Sequence, residues 1–164
     1  MTLALPTGEP FAIGVTGYDY RPATSQETTP RVVLEVAIEG IVVEAVVDTG
    51  GVYLFCNPAI ARRLSLTPAE ALSGVQAILF RGVTVAGRLY RLSLTLLADA
   101  GADVTIETTA FVPEPEEAEH WGDMPCLLGF FGCLERARFA VDPHTEQFYF
   151  GPTADADGSG GRRA

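Results

Sequence analysis

A run of apolar residues that leads directly into an acid is the feature that most constrains how this chain can fold. Val46 and Val47 are followed by Asp48, then by Thr49 and Gly50. The β-branched pair predicts a strand, and the hydroxyl residue and glycine predict a tight turn that presents the carboxylate inside the protein. An ionised aspartate is costly to bury without a partner, so Asp48 marks a candidate functional site. The tripeptide alone is a weak signal, because a plain strand and turn explains it equally well.

Most of the remaining sequence is typical of strands, with one short helix. Asn57 followed by Pro58 is a helix N-cap with proline at the first helical position, and it predicts a helix over residues 59–64. No internal repeat supplies a second Asp-Thr-Gly or Asp-Ser-Gly turn. We therefore expect a mainly all-β fold with one or two short helices. The segments that favour strands are residues 11–20, 32–37, 41–47, 52–55, 77–81, 83–85, 88–97, 104–112, 138–141 and 147–151.

Length and composition predict one main domain. We expect residues 1–30 to form an N-terminal strand and loop, residues 31–151 the main domain, and residues 152–164, which are rich in glycine, a flexible tail. The formal net charge of −10 disfavours nucleic acid as a partner. No uncharged apolar run is long enough for a spanning helix, so we expect no membrane partner. The segment before Pro10 lacks the basic region of a secretory signal, which favours a cytoplasmic protein.

The cysteines predict neither a disulfide framework nor a metal site. Cys56, Cys126 and Cys133 are odd in number, form no CxxC pair, and lie among apolar residues. We expect buried free thiols in a reducing compartment. A nucleophilic pair between a cysteine and His120 or His144 is an alternative that no local motif supports.

A second motif follows the acid at a long interval. Leu127 and Leu128 precede Gly129, and a short amphipathic stretch and an apolar strand come after. The two motifs in this order resemble the retropepsin-like aspartic peptidases, including bacterial members, over roughly residues 31–151. The resemblance implies an acid-protease β-barrel in which Leu127, Leu128 and Gly129 pack across the turn that carries Asp48. It also implies a short helix after Gly129.

The resemblance implies a function as well. Aspartic peptidases use two carboxylates that share a proton, and this chain supplies one, so it implies a homodimer with an Asp48 from each copy. Thr49 would brace the two turns, and Gly50 would allow their close approach. The implied activity is an aspartic endopeptidase that cleaves a peptide or protein substrate with no metal and no cofactor. A member of this family that has become a binding or dimerisation module, and an unrelated β-barrel with a chance match, are the alternatives.

Several positions have more than one interpretation. The resemblance implies that the hairpin at residues 77–97 is a flap over the substrate, with Phe80, Arg81 and Gly82 near its tip. Gly87 is the alternative tip. The other interpretation is an ordinary hairpin in the barrel wall. Gly51 stands where the family usually has alanine or serine. Many members have aspartate or asparagine shortly after the apolar-apolar-glycine segment, where this chain has Phe130 and Phe131. The acidic stretch 113–123 is either a solvated loop or a gate over the cleft, and its Trp121 either a core anchor or a substrate platform.

Overall fold

A computed structural model describes residues 3–153, which hold twelve strands and two short α-helices. The strands are β1 (Gly14–Gly17), β2 (Asp19–Arg21), β3 (Arg31–Ile38), β4 (Ile41–Val52), β5 (Leu54–Phe55), β6 (Gln76–Phe80), β7 (Val83–Leu96), β8 (Ala100–Gly101), β9 (Val104–Pro113), β10 (Cys126–Phe131), β11 (Ala137–Asp142) and β12 (Gln147–Pro152). The helices are α1 (Pro58–Leu64) and α2 (Ala118–Trp121). The prediction of a mainly all-β fold with one or two short helices is confirmed.

Six of the strands close into a barrel. They follow the order β3, β4, β10, β5, β9 and β7, and β7 pairs back with β3 through Val36 and Leu96. The strand β2 extends the sheet beyond β3, and β6 extends it beyond β7. A second sheet, in the order β11, β12, β1 and β8, joins the two ends of the described chain. The segment before residue 30 is therefore built into both sheets.

Apolar side chains form two clusters inside this framework. The larger one fills the barrel and extends to the second sheet, with Leu34, Leu94, Leu128 and Phe148 fully buried. The smaller one is aromatic and contains Phe55, Phe80, Phe111 and Trp121. The indole of Trp121 stacks on Phe80 with ring centroids 4.5 Å apart, and its N–H donates to the Met124 carbonyl at 2.7 Å. Trp121 is a core anchor, as one of its two interpretations predicted.

The helix α1 forms where its capping signal predicted it. The side chain of Asn57 accepts a hydrogen bond from the Ala59 N–H at 2.7 Å, and Pro58 occupies the first turn. The helix ends at Ser65, which has a left-handed backbone with φ of 52°. The local chemistry of the cap was sufficient to predict this element, because it needs no tertiary partner.

The hairpin formed by β6 and β7 turns at Arg81-Gly82 and not at the alternative tip, Gly87. Strand β7 runs unbroken from Val83 to Leu96, and the turn is Arg81-Gly82, with φ of 51° and 82°. Two consecutive positive φ values are typical of a two-residue hairpin turn. Gly87 instead allows β7 to approach β9, because a Cβ built there would lie 2.4 Å from the Phe111 ring. Of the two predicted tips, the structure has Arg81 and Gly82.

Two other segments differ in detail from their predictions. The stretch 113–123 is not a plain loop: a 3₁₀ turn at Pro115–Glu117 leads into α2, because burial of Trp121 holds this segment against the aromatic cluster. The short helix expected after Gly129 is a single 3₁₀ turn at Leu134–Arg136. The predicted tail begins at Pro152, but that residue ends β12 and pairs with Ala137. Residues 154–164 of the predicted tail lie outside the described residues.

Candidate active site

The sequence predicted Asp48 on a turn that follows a strand. In the structure, Asp48 lies inside strand β4. Strand β4 continues through Asp48 and Gly51 to Val52 because β10 pairs with it in parallel as far as Asp48 and again at Val52. The register shifts between Gly129 and Phe131, which is a bulge beside the acid. Asp48 is half-buried instead of fully buried, and Thr49 and Gly50 are exposed. The acid is therefore accessible from outside the barrel.

The apolar-apolar-glycine segment lies directly alongside this acid. Leu127, Leu128 and Gly129 pair with Val46, Val47 and Asp48, respectively. A Cβ at position 129 would lie 2.3 Å from the Tyr53 carbonyl oxygen, a separation that no side chain tolerates. The Gly129 N–H donates to that same oxygen at 2.8 Å. Only glycine fits here, because β4 folds back over it before β5 begins.

The Asp48 carboxylate rests over the backbone of the two glycines that follow Thr49. A Cβ at Gly51 would lie 2.8 Å from the Oδ2 atom of Asp48, and one at Gly50 would lie 3.8 Å from Oδ1. Gly51 therefore leaves the space that the carboxylate occupies. The glycine at position 51, where the resembled family usually has alanine or serine, therefore has a structural role.

A cleft of about 340 Å³ lies between the Asp48 strand and the tip of the β6–β7 hairpin. Of the candidate residues from the sequence, those that line it are Asp48, Gly50, Gly51, Phe80, Arg81, Leu127 and Gly129. Three others do not line it. Leu128 is fully buried in the barrel, and Thr49 and Gly82 lie outside the cleft.

The polar loop between β2 and β3, residues 22–30, and the first residue of β3 contribute to the cleft side chains that the sequence did not indicate. Ala23, Glu27 and Arg31 line the cleft. The Oε1 atom of Glu27 lies 3.0 Å from the Arg81 guanidinium and 3.6 Å from that of Arg31. The only signal in the sequence was that Glu27 and Arg31 have opposite charges and are four residues apart. That spacing brings two side chains together in a helix but indicates nothing in a loop. The contact with Arg81 spans more than fifty residues and depends on the tertiary fold.

A second carboxylate anchors this loop from its other side. Asp123 accepts hydrogen bonds from the Ser25 N–H and from the Ser25 hydroxyl, each at 3.0 Å. These bonds hold the pKa of Asp123 below its ordinary value, and the bond from the Ser25 N–H has the largest effect. Ala23 is buried in the aromatic cluster. The loop that carries Glu27 is thus fixed on the N-terminal side of the glutamate.

Apolar side chains are exposed around the cleft. Phe131 is 56% exposed, and Val52 and Phe130 are also exposed next to the strand that carries Asp48. The ring of Phe131 packs on Tyr53 with centroids 5.8 Å apart. On the flap side, Leu79 is 72% exposed. Exposed apolar groups that adjoin a functional cleft are typical of a surface that binds a protein or a peptide.

The other reactive groups are not arranged for catalysis. All three cysteines are free and buried, as predicted. Burial raises the pKa of Cys133 to about 12, and a hydrogen bond with Cys126, together with burial, raises the pKa of Cys56. Both His120 and His144 are exposed, so neither adjoins a buried thiol as a base would. The cysteine–histidine alternative therefore has no support from the geometry.

Residues 3–153 contain neither a metal-binding cluster nor a membrane-spanning helix. No group of three or more His, Cys, Asp or Glu side chains is placed to hold a metal ion. No helix in this part of the chain has the length and apolarity needed to cross a membrane. The expectation that the protein uses no metal and no cofactor stays a prediction.

Comparison with known proteins identifies the fold. No family model and no curated protein matches the sequence. Among solved structures, a retropepsin-like aspartic protease from Rickettsia conorii has a TM-score of 0.51 at 16% identity, and the match covers 85% of this chain and 95% of that one. The retroviral protease-like domain of Ddi1 from Leishmania major matches at 17% identity with a TM-score of 0.45, over 76% of this chain and 97% of that domain. The match to the Rickettsia conorii structure shows that the chain has a retropepsin-like fold.

Proposed function

We propose that this protein is an aspartic endopeptidase that hydrolyses peptide bonds at a site shared between two copies of the chain. The observation that carries the proposal is the position of Asp48. It lies beside Gly129 on one wall of a cleft, opposite the tip of a hairpin, within a retropepsin-like fold. An accessible acid at the junction of two paired strands is an arrangement that a plain barrel wall does not need.

The chemistry requires two carboxylates close together. Two such groups about 3 Å apart cannot both ionise, so one keeps a proton and the other does not. The ionised group takes a proton from a water molecule, which attacks the scissile carbonyl. The protonated group hydrogen-bonds to the carbonyl oxygen and stabilises the charge that develops there. We propose that Asp48 fills both roles, one in each copy.

A homodimer supplies the second carboxylate. The exposure of Thr49 and Gly50 supports this proposal, because residues next to a two-fold axis must be free to meet their counterparts. The exposed apolar residues Val52 and Phe131 pair with each other on β4 and β10 and offer surface for burial. In the dimer, Thr49 would brace the paired strands, and Gly50 would allow their approach.

A peptide or protein is the substrate that suits this cleft. The strand β6 is at the edge of its sheet, and its residues Ile78, Leu79 and Phe80 line the cleft. An extended peptide can pair with such an edge through main-chain hydrogen bonds. The net charge of −10 disfavours nucleic acid as an alternative substrate. The free, buried cysteines suit a reducing compartment, and we propose a cytoplasmic location on that basis.

The test compares the wild-type protein with Asp48→Asn. The substitution removes both the base and the acid from a symmetric site, so cleavage of an unstructured protein such as denatured casein should become undetectable. Asp103→Asn is the matched control, since Asp103 is exposed outside the cleft and an asparagine can keep its bond from the Ala98 N–H. Activity should be measured from about pH 4 to 7, where a shared proton predicts a maximum on the acid side. The soluble fraction must be measured at each pH, because the sequence pI is about 4.5.

The outcomes separate the remaining interpretations. Equal cleavage by the wild type and Asp48→Asn would mean that the activity belongs to another site or to a contaminant. No cleavage by either protein, with a stable dimer, would favour the binding or dimerisation module.

A further inference from the structure

Glu27 is a second carboxylate in the cleft, and the chemistry of an aspartic dyad does not use it. Its side chain is only 10% exposed, although it comes from a polar surface loop. It lines the same cleft as Asp48. Its Oε1 atom faces the guanidinium groups of Arg31 and Arg81, at 3.6 Å and 3.0 Å.

The other oxygen of this carboxylate has no partner. The Oε2 atom of Glu27 is buried and accepts no hydrogen bond from any group of residues 3–153. A buried carboxylate oxygen without a donor is costly, and native proteins rarely leave one unless a ligand or water supplies the donor. The Glu27 side chain lines the cleft, so a shift of a neighbouring side chain would open Oε2 to a molecule bound there.

The surrounding charges indicate which donor fits. Two arginines already face this one carboxylate, and Asp123 is a further anion close enough to Arg81 for that guanidinium to help lower its pKa. A lysine or arginine side chain of a ligand would bring a third cation up to the two guanidinium groups that already face Glu27, which the Coulomb energy disfavours. A neutral N–H group satisfies the oxygen without that repulsion. The main chain of an extended peptide supplies such groups at every residue except proline.

The position of Glu27 is fixed before any peptide binds. The bonds from Ser25 to Asp123 and the burial of Ala23 hold the loop on the N-terminal side of the glutamate, and its ion pair with Arg81 connects it to the hairpin tip. An acceptor that is already oriented loses little entropy when a donor arrives. This arrangement favours recognition of a peptide over a merely structural ion pair.

We propose that Oε2 of Glu27 accepts a hydrogen bond from a main-chain N–H of the bound peptide, so that Glu27 is a substrate-binding residue that excludes proline at one position of the substrate. This inference rests on the proposed function and names a feature of its substrate. The residue acts on specificity, and the hydrolytic step itself remains with Asp48.

The experiment begins with the cleavage profile of a peptide library. The wild type should show one position at which proline is strongly depleted, and Glu27→Gln should lose that depletion, because its amide nitrogen no longer accepts. Glu35→Gln is the matched control, since Glu35 is exposed on β3 outside the cleft. It should keep the wild-type profile.

A thermodynamic cycle on one good substrate sharpens the test. Methylating the peptide nitrogen at the depleted position should lower kcat/KM of the wild type roughly tenfold or more, mainly through KM. Glu27→Gln should lose about the same with the unmodified peptide and little further with the methylated one. Arg81→Met keeps Oε2 and removes the ion pair, so it should still discriminate against the methylated peptide.

Three results would overturn the inference. One is a Glu27→Gln protein with the proline depletion of the wild type. Another is a Glu27→Gln protein whose kcat/KM still falls by the full wild-type factor when the peptide nitrogen is methylated. The third is Arg81→Met abolishing discrimination as completely as Glu27→Gln, which would reduce Glu27 to a tether for the hairpin. A wild type that cuts no peptide would instead overturn the proposed function, and this inference with it.

Discussion

At the residue scale, Gly51 decides where the Asp48 carboxylate lies. A Cβ at position 51 would come within 2.8 Å of Oδ2, and the flexible carboxylate would move more easily than the backbone. We expect Gly51→Ala to fold with an almost unchanged Tm and to lower kcat several-fold, with little change in KM, because the reacting group is displaced while the rest of the cleft remains. Gly74→Ala is the control, since a Cβ there meets no atom within 4 Å. A gain in kcat would mean that the glycine leaves the carboxylate too mobile.

Asp123 gives a prediction for the pH dependence of stability. Its pKa is lowered in the folded protein by the bonds from Ser25, from an ordinary value of 3.8. A depressed folded pKa contributes stability above the unfolded value, and that contribution is lost as the pH falls through the folded value. Asp123→Ala should therefore unfold at lower urea concentration than the wild type at pH 7. The difference should begin to shrink below about pH 4 and vanish once the pH is below the folded pKa. A difference that persists at pH 2 would assign the effect to packing instead of charge.

At the scale of elements, the flap hairpin contains two glycines with different roles. Gly82 is in the turn with φ of 82° and open space around it, whereas Gly87 packs against Phe111 and the Val112 carbonyl. We expect Gly87→Ala to lower the free energy of unfolding by roughly 1–3 kcal/mol or more through overpacking. Gly82→Ala should cost about 1 kcal/mol, from backbone strain alone.

The same pair of variants tests the hairpin as a flap. If the tip covers the substrate, Gly82→Ala should lower kcat/KM by more than its small loss of stability explains. Thermal melting measures the stability, and peptide cleavage measures kcat/KM. The Gly87 variant should change activity only in proportion to the folded fraction. The opposite ranking would mean that the hairpin is an ordinary part of the barrel wall.

At the scale of the whole molecule, the proposed site is incomplete in one chain. Light scattering at micromolar concentration should give twice the chain mass, and the specific activity should fall on dilution, because the dyad disassembles. A monomer whose specific activity is independent of concentration would contradict the shared site.

The exposed aromatic face next to Asp48 offers a way to break the dimer. Phe131→Asp places a charge on that face, and we expect it to give a folded monomer without activity. Val141→Asp is the control, because Val141 is exposed on β11 of the second sheet, away from the barrel. Equal loss of the dimer in both variants would place the interface elsewhere.

The sequence by itself determined the features that depend on local chemistry. The β-branched run before Asp48 predicted its strand, and the Asn57-Pro58 cap predicted α1. The position of Leu127, Leu128 and Gly129 beside the acid was implied by the family resemblance and not by local chemistry. The tertiary structure decided what depends on distant partners. It placed Gly87 inside a strand, because Phe111 is its neighbour only in the fold, and it extended β4 through Asp48, because β10 pairs alongside. It also brought Glu27 to Arg81 across the cleft, a contact between charges that are far apart in the chain and that no periodic pattern encodes.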